Sequence, residues 1–189
     1  MRTFLKPFAI AVMGLLISVS AGPRASADEP APFGARAGLD LAREAADAWA
    51  RDAVLVYIEN DEDLDAQGAA GRWSYLFYSS TLDRLRFYSV RAGKILVAEN
   101  LNLKFEAPPL ATQWIDSGAA LAASQQGEGG EFCRKEGGHL STMLLMRGAF
   151  QDKDPDQTTW TLVYTAPNAP SLFVVVDATQ GKVRRTWRG

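Results

Sequence analysis

Apolar residues recur along the chain with two spacings, and these predict helices and strands. From residue 39 to residue 51 the apolar positions fall at helical spacing, with charged residues on the rest of the cylinder, so an amphipathic helix is predicted. Short runs of β-branched and aromatic residues follow, bounded by Gly, Asp and Asn, which is typical of strands. The four predicted strands are residues 53–58, 73–79, 85–90 and 94–98.

The same order of patterns returns in the second half of the chain. Helical character covers residues 112–126, and residues 131–136 are predicted to form one or two helical turns. Strand patterns then occupy residues 141–146, 160–165, 172–177 and 182–187. The connections between strands are short enough for antiparallel hairpins.

The predicted fold class is α+β, with two tandem units. Each unit is a helix, or a helix-loop-helix, packed on one face of its own four-stranded antiparallel sheet. The first unit spans residues 39–105 and the second residues 112–189. Residues 106–111 form the linker, because the adjacent Pro108 and Pro109 fit neither a helix interior nor a central strand.

The two halves also match each other in sequence. The segment that begins at Trp73 (WSYLFY) lies over the one that begins at Trp160 (WTLVYT) at an offset of 87 residues. Gly93-Lys-Ile lies over Gly181-Lys-Val at an offset of 88. Two anchors at nearly the same offset predict an internal duplication.

The first 27 residues have the pattern of a cleavable secretory signal peptide. Arg2 and Lys6 precede an uncharged apolar run over residues 8–20, and Ala25-Ser26-Ala27 provides the small residues of a cleavage site. The run is shorter than the roughly 20 residues that a membrane-spanning helix needs. The sequence therefore predicts an exported protein, periplasmic or secreted, without membrane insertion after cleavage. Residues 28–38, rich in Pro, Gly and Ala, are predicted to be a flexible leader.

Charge and cysteine content narrow the function classes for the remaining 162 residues. Without the three basic residues of the signal, 17 basic residues stand against 22 acidic ones, so nucleic acid is not expected as a partner. Cys133 is the single cysteine, which rules out an intramolecular disulfide. The hydrophobic core must therefore hold the fold alone.

A short motif near the end of the chain resembles a known family. The segment from Asp177 to Val183 (DATQGKV) resembles the strand and turn that closes PepSY domains, and it follows a Trp-containing strand at Trp160 as in that family. Residues 49–55 and 71–75 are similar to exported bacterial proteins of PepSY-like type. The tandem arrangement resembles the architecture of β-lactamase-inhibitor proteins. In the first half, Arg91-Ala92-Gly93 departs from the motif.

The resemblance implies a binding or regulatory module of the cell envelope and no enzyme. PepSY domains have been suggested to restrain peptidases, so an inhibitor-like role against an envelope protein or peptide is one implication. No cofactor is implied, and neither the partner nor the oligomeric state follows from the resemblance.

Cys133 and His139 are the only Cys and His of the chain and lie six residues apart among glycines. A thiol activated by an imidazole would be a nucleophile, which predicts a thiol-dependent enzyme or redox protein as an alternative. A metal would need carboxylates such as Glu131 or Glu136 as further ligands, and no metal site is predicted. The other interpretation is a small apolar thiol and a loop histidine.

Two acidic triplets occupy equivalent loops. Asp61, Asp63 and Asp65 lie between the first two strands of one half, and Asp152, Asp154 and Asp156 between those of the other. The EF-hand template fails on the first triplet, because Ala66 and Arg72 stand where it needs Gly and Glu. The loops are interpreted either as solvated turns or as weak cation sites.

The candidate binding surface is the face of each sheet that the helices leave bare. Strand alternation places Trp73, Tyr75 and Phe77 on one face. Leu85 and Phe87 are expected to join them. The opposite face is then predicted to carry four partner-binding residues: Tyr57, Tyr78, Arg86 and Tyr88. The alternative is that these four residues line the seam between the two units.

The first functional hypothesis is a non-enzymatic, exported binding or regulatory module. No catalytic residues are assigned. The alternatives are the thiol chemistry of Cys133 and His139, and a carrier of a small apolar ligand, whose sign would be a closed apolar cavity between sheet and helices.

Overall fold

A computed structural model describes residues 30–102, 108–148 and 156–189. The predicted signal peptide lies outside the described residues, as do part of the predicted linker and Asp152 and Asp154. The elements, in chain order, are α1 Leu39–Trp49, β1 Val54–Asn60, β2 Trp73–Ser79, β3 Arg84–Arg91, β4 Lys94–Leu101, α2 Ser117–Gln125, α3 Glu128–Glu136, β5 His139–Arg147, β6 Thr158–Ala166, β7 Ala169–Asp177 and β8 Val183–Arg188.

The eight strands form one continuous antiparallel sheet in the order β4-β3-β2-β1-β5-β6-β7-β8. The prediction of two tandem units, each with its own four-stranded sheet, is therefore wrong. The two predicted sets of four strands do form, but β1 and β5 pair edge to edge and join them. Pairing removes two exposed strand edges that separate sheets would have left open.

Asn60 strengthens the central β1–β5 junction. The ladder itself pairs three residues, Tyr57 to Glu59, with Met146 to Leu144. Just beyond it, the Asn60 side chain accepts a hydrogen bond from the Met143 N–H at 2.7 Å and donates one to the Ser141 carbonyl at 3.2 Å. A side-chain amide offers a donor and an acceptor, so it can extend the pairing where the two backbones diverge.

All three helices pack on the same face of the sheet. The Tyr88 hydroxyl of β3 donates to the Ala45 carbonyl of α1 at 3.1 Å, and Tyr164 of β6 hydrogen-bonds Ser124 of α2 at 2.9 Å. Strand pairing places both tyrosines on one face. Tyr88 pairs with Tyr75, and successive pairs then connect Tyr75 to Ile58, Leu145 and Trp160 across the sheet. Tyr164 lies four residues after Trp160 in β6 and therefore on the same face. None of the helices among the described residues is long and apolar enough to cross a membrane.

A tryptophan cluster fills the core where the two halves of the sheet meet. Trp73 and Trp160 are fully buried and meet edge to face at 6.2 Å, and Trp114 meets Trp160 in the same way at 6.0 Å. Each indole N–H of the first pair is satisfied by a carbonyl: Trp73 donates to Phe33 and Trp160 to Ile115, both at 2.8 Å. One hydrophobic core therefore runs under both halves.

Residues 33–38 of the predicted flexible leader are instead part of the packed structure. Phe33 pairs with Ala70 as an isolated bridge, and Ala35 is fully buried. Arg36 crosses to the second half, where its guanidinium stacks on Trp114 at 4.2 Å and donates to the Trp114 carbonyl. Leu110, from the predicted linker, is also buried, and its N–H donates to the Leu55 carbonyl.

The motif that carries the PepSY resemblance is a turn with a structural explanation. The buried Asp177 carboxylate accepts hydrogen bonds from the N–H groups of Thr179 and Gln180, from Gln157 and from Arg184. Gly181 has a φ of +69°, which glycine adopts without strain. The motif thus builds the β7–β8 turn, and PepSY membership stays a prediction.

Candidate functional site

The face of the sheet opposite the helices carries a second, separate group of apolar side chains. Its buried members are Val56, Leu76 and Leu85, and partly exposed residues pack around them. We call the whole group the open-face cluster: Val56, Tyr57, Leu76, Tyr78, Leu85, Phe87 and Leu101. Within the described part of the chain, none of the helices covers this cluster. It is therefore a candidate docking surface.

Two of the four predicted partner-binding residues lie on the wrong face. Arg86 pairs with Phe77, and Tyr88 with Tyr75, so both point toward the helices. Tyr88 is 2% exposed, and Arg86 bonds Asn100 and the Ala98 carbonyl while its guanidinium lies 5.5 Å from the Tyr88 ring. The prediction that they form an uncovered surface is wrong for both, because the β2–β3 register is shifted by one residue from the predicted one.

Tyr57 and Tyr78 do belong to the open-face cluster. Their neighbours there are Leu85 and Phe87, which the sequence assigned to the other face: Leu85 pairs with Tyr78, and Phe87 with Leu76. The cluster thus consists of aromatic and branched aliphatic side chains on four adjacent strands. The aromatic members, Tyr57, Tyr78 and Phe87, are of the type that is enriched in protein interfaces.

Tyr57 is hydrogen-bonded to Glu59, whose carboxylate lies beside the cluster on β1. Its hydroxyl donates to Glu59 at 2.7 Å. Burial raises the pKa of Glu59 above its usual range, although the Tyr57 hydrogen bond acts in the opposite direction. Burial also raises the pKa of Tyr57 itself. The Tyr57 hydroxyl thus gives the partly buried Glu59 carboxylate a hydrogen-bond partner at the edge of the cluster.

Polar groups flank the cluster at both ends of the strands. At one end Asp61 accepts hydrogen bonds from Ser74 at 2.8 Å and Ser89 at 2.5 Å, and its carboxylate lies 3.5 Å from Arg72. At the other end the Tyr78 hydroxyl donates to Asp83 at 3.0 Å. An apolar centre with a polar rim is the ordinary anatomy of a protein interface.

The open face continues across the β1–β5 junction. Tyr57 and Glu59 pair with Met146 and Leu144, both partly exposed. Further along, two neighbouring residues of β6, Thr159 and Thr161, are 0% and 1% exposed. Their hydroxyls have no hydrogen-bond partner within the part of the chain the structure describes. The open-face cluster is the better candidate surface because its apolar residues form one contiguous group.

A cavity of about 410 Å³ lies on the helix side, between the β1–β2 loop and the second half. It is open to solvent on one side. Its described lining comes from the β1–β2 loop, α2, α3, β5 and β6, in order of sequence: Asp63, Leu64, Asp65, Ala66, Leu121, Gln125, Cys133, His139, Leu140 and Tyr164. The sequence alternative of an apolar-ligand carrier called for a closed apolar cavity, and this cavity is neither closed nor wholly apolar.

The structure brings Cys133 and His139 to this same cavity. Cys133 lies on α3 and is partly buried, and burial raises the pKa of its thiol despite the nearby positive charge of Arg134. His139 begins β5, is exposed, and its Nε2 lies 3.4 Å from the Thr165 hydroxyl. A raised pKa lowers the thiolate fraction, which is the opposite of what an activated nucleophile needs.

The described residues of the acidic loops, which leave out Asp152 and Asp154, show no arrangement that would hold a metal. In the first loop Asp61 bonds serines, and Asp65 accepts from the N–H groups of Gln67 and Ala69 at 2.8 and 2.9 Å. In the second, Asp156 pairs with Arg147 at 2.8 Å. No three His, Cys, Asp or Glu side chains among the described residues lie close enough together to bind a metal ion.

Sequence reasoning missed the residues that define the centre of the open-face cluster. Leu76, Leu85, Phe87 and Leu101 carry no chemical group that would single them out. Their face depends on the register of the β2–β3 hairpin, which the turn between Ser79 and Arg84 sets. The alternation within β2 alone did place Leu76 and Tyr78 together.

Comparison with known proteins found a match by structure but not by sequence. No protein family and no curated protein matches the chain. Among solved structures, the chain is similar to a "putative lipoprotein" from Clostridium difficile 630, with a TM-score of 0.52 and 13% sequence identity. The match covers 78% of this chain and 90% of the other.

This similarity shows a shared fold. The two chains share the fold over most of their lengths, so the arrangement of strands and helices described above also occurs in a crystallised protein. At 13% sequence identity, this similarity gives no information about partners or site residues.

Proposed function

We propose that the chain is an exported, non-catalytic binding protein of the bacterial cell envelope. The single observation that carries this is the open-face cluster: seven apolar side chains on four adjacent strands that no described helix covers. An antiparallel sheet can leave one face to solvent, but that face is then normally polar. Here its centre is aromatic and aliphatic.

The chemistry of the cluster specifies the kind of occupant. The centre offers Leu76, Phe87 and Tyr57. Two carboxylates lie beside them: Glu59 is tied to the Tyr57 hydroxyl, and the exposed Glu99 pairs with Phe87 on β4. The charged groups Asp61 and Arg72 lie at the rim and neutralise one another. We therefore infer that the partner is another envelope protein with an apolar contact patch, bounded by polar groups and by a hydrogen-bond donor or cation that faces Glu99.

Three further points support the proposal. The first 27 residues have the order of a secretory signal, the fold is shared with a protein described as a putative lipoprotein, and the closing motif at Asp177 resembles PepSY domains. The inhibitor-like or regulatory role that this resemblance implies belongs to the same proposal. The raised pKa of Cys133 weighs against the thiol-enzyme alternative.

A photo-crosslinker placed on the cluster tests the proposal in the cell that makes the protein. Phe87→p-benzoylphenylalanine keeps an aromatic ring at a partly exposed position of the open face. The matched control is Val183→p-benzoylphenylalanine, since Val183 is 42% exposed but pairs with Val176, on the helix-covered face. We expect an adduct with a second protein from position 87 and none from position 183.

Two outcomes would overturn the proposal. One is the absence of any adduct at position 87 in folded protein. The other is an adduct only with a second copy of this chain, which would make the open face a homodimer interface. Once the partner is identified, Phe87→Ala is expected to weaken its binding by about 30-fold, as loss of an aromatic anchor at an interface centre does.

A further inference from the structure

The cavity beside Cys133 is a second candidate site, on the opposite face of the sheet from the open-face cluster. Its walls come from the β1–β2 loop, α2, α3, the start of β5 and Tyr164 of β6. Its volume of about 410 Å³ lies within the range of sites that hold small organic ligands. The two sites share no residue, so this inference is independent of the proposed function.

The loop that forms one wall is held firmly in place. Asp65 accepts two backbone N–H bonds within the loop, and Leu64 pairs with Ala70. Gly68 packs so closely on α2 that an added Cβ would lie 3.2 Å from the Ser117 carbonyl and 3.3 Å from Leu121. The wall is therefore pre-formed, which lowers the entropy cost of binding.

The charges of the lining have one sign. Asp63 and Asp65 contribute two carboxylates, and neither Lys nor Arg is among the described lining residues. Asp65 already accepts two hydrogen bonds within its loop. Asp63 is exposed and, within the described chain, makes no hydrogen bond or ion pair, so its carboxylate is available to a ligand.

Apolar groups lie beside these carboxylates. Leu64, Leu121 and Leu140 line the cavity, and the Tyr164 ring forms part of it with its hydroxyl bound to Ser124. A wall of hydrocarbon next to the available carboxylate of Asp63 matches a ligand with an apolar body and one positive end. A bare metal ion does not fit, because no group of three ligating side chains converges anywhere in the described residues.

We propose that this cavity binds a small organic cation: a primary ammonium group on a short apolar body. The ammonium group lies against Asp63, and the apolar body lies against the leucine wall. Cys133 lines the cavity, so a bound ligand shields the single thiol of the protein from solvent.

The single thiol provides the readout. The mature chain is alkylated with iodoacetamide in the presence of 2-phenylethylamine, with 2-phenylethanol as the neutral probe of the same shape. At an amine concentration ten times its dissociation constant, alkylation is expected to slow about tenfold, and calorimetry gives that constant independently. The alcohol is expected to protect the thiol much less at equal concentration.

A pair of variants locates the charge. Asp63→Asn is expected to weaken amine binding about tenfold by removing a charge-assisted hydrogen bond, with no change for the alcohol. Asp47→Asn, an exposed acid on α1 outside the cavity, is the control and should bind like the wild type. Equal protection by amine and alcohol, no protection by either, or equal behaviour of the two variants would overturn the proposal.

Discussion

Trp73 of β2 and Trp160 of β6 meet edge to face at 6.2 Å in the core. Both are fully buried, and each indole N–H is bonded to a carbonyl of the irregular segment that precedes its own half's first helix. The contact ties the two halves into one hydrophobic core, in addition to the β1–β5 ladder.

The first prediction concerns this shared core. Trp160→Phe removes buried volume and leaves the Ile115 carbonyl without its donor, so the free energy of unfolding should fall by about 2–4 kcal/mol. Urea unfolding followed by circular dichroism should remain a single transition, because both halves depend on the same core. Trp49→Phe, at a partly buried position on α1, should cost less than about 1 kcal/mol. Two separate transitions in the Trp160→Phe variant would contradict the single-core description.

The second prediction concerns pH. Burial acts to raise the pKa of Asp177, but hydrogen bonds from Arg184 and from the backbone of Gln180 and Thr179 outweigh it, so the pKa lies below its ordinary value. A lowered folded-state pKa stabilises the fold above the unfolded-chain pKa of about 4, and the stabilisation is lost as pH falls through the folded value. Asp177→Asn should therefore cost about 2 kcal/mol at pH 7.

The cost of Asp177→Asn should shrink in urea titrations carried out at progressively lower pH below 4. Asp156→Asn provides the matched control, because Asp156 is also paired with an arginine, Arg147, but its side chain is 81% exposed. Its effect should stay within about 1 kcal/mol at every pH. An Asp177→Asn cost that does not change with pH would show that the charge of Asp177 contributes nothing.

The third prediction concerns the reactivity of Cys133. Because burial raises the pKa of the thiol, the thiolate fraction at pH 7 is below that of an ordinary cysteine. Alkylation of the folded protein should be slower than that of the urea-unfolded chain and should rise throughout the range from pH 7 to pH 9. A rate that is already at its plateau at pH 7 would support the thiol-enzyme alternative instead.

The fourth prediction compares two glycines with similar backbone angles. Gly68 has a φ of +74° and lies against α2, whereas Gly93 has a φ of +69° and open space around it. Gly93→Ala should cost about 1 kcal/mol for the left-handed backbone alone. Gly68→Ala should cost about 2 kcal/mol or more, since the new Cβ also presses on Ser117 and Leu121. Equal losses in thermal unfolding would mean that the loop is not packed as described.

Local sequence patterns predicted the strands well, but they do not show which distant strands pair with each other. The runs after Trp73 and Trp160 appeared as strands because aromatic and β-branched residues alternate there. The β1–β5 junction consists of three residue pairs and the Asn60 side chain. In the sequence these residues look no different from those of a strand whose edge is exposed to solvent. Two separate sheets were therefore predicted where one exists.

The prediction of the candidate surface was wrong in part for a similar reason. Alternation shows which residues of one strand share a face, but the turn sets which face of the next strand joins them. The β2–β3 connection aligns Ser79 with Arg84, which turned Arg86 and Tyr88 toward the helices and Leu85 and Phe87 toward the open face. Tyr57 and Tyr78 do lie on the open face, where the β1–β2 register pairs Tyr57 with Leu76 and Val54 with Tyr78. The cavity is lined by five elements of the chain, and only the proximity of Cys133 and His139 in the sequence indicated any part of it.

The central junction also determines when the fold can be completed. As the chain leaves the ribosome, or crosses a membrane from its N-terminus, β1 is present long before β5, since Asn60 and Met143 are 83 residues apart. During that interval the outer edge of β1 has neither its ladder partner nor the cover of Trp160. An unpaired strand edge beside apolar residues promotes misassembly between chains. A chaperone that protects this edge until the second half arrives would raise the yield of folded protein without contacting the finished molecule.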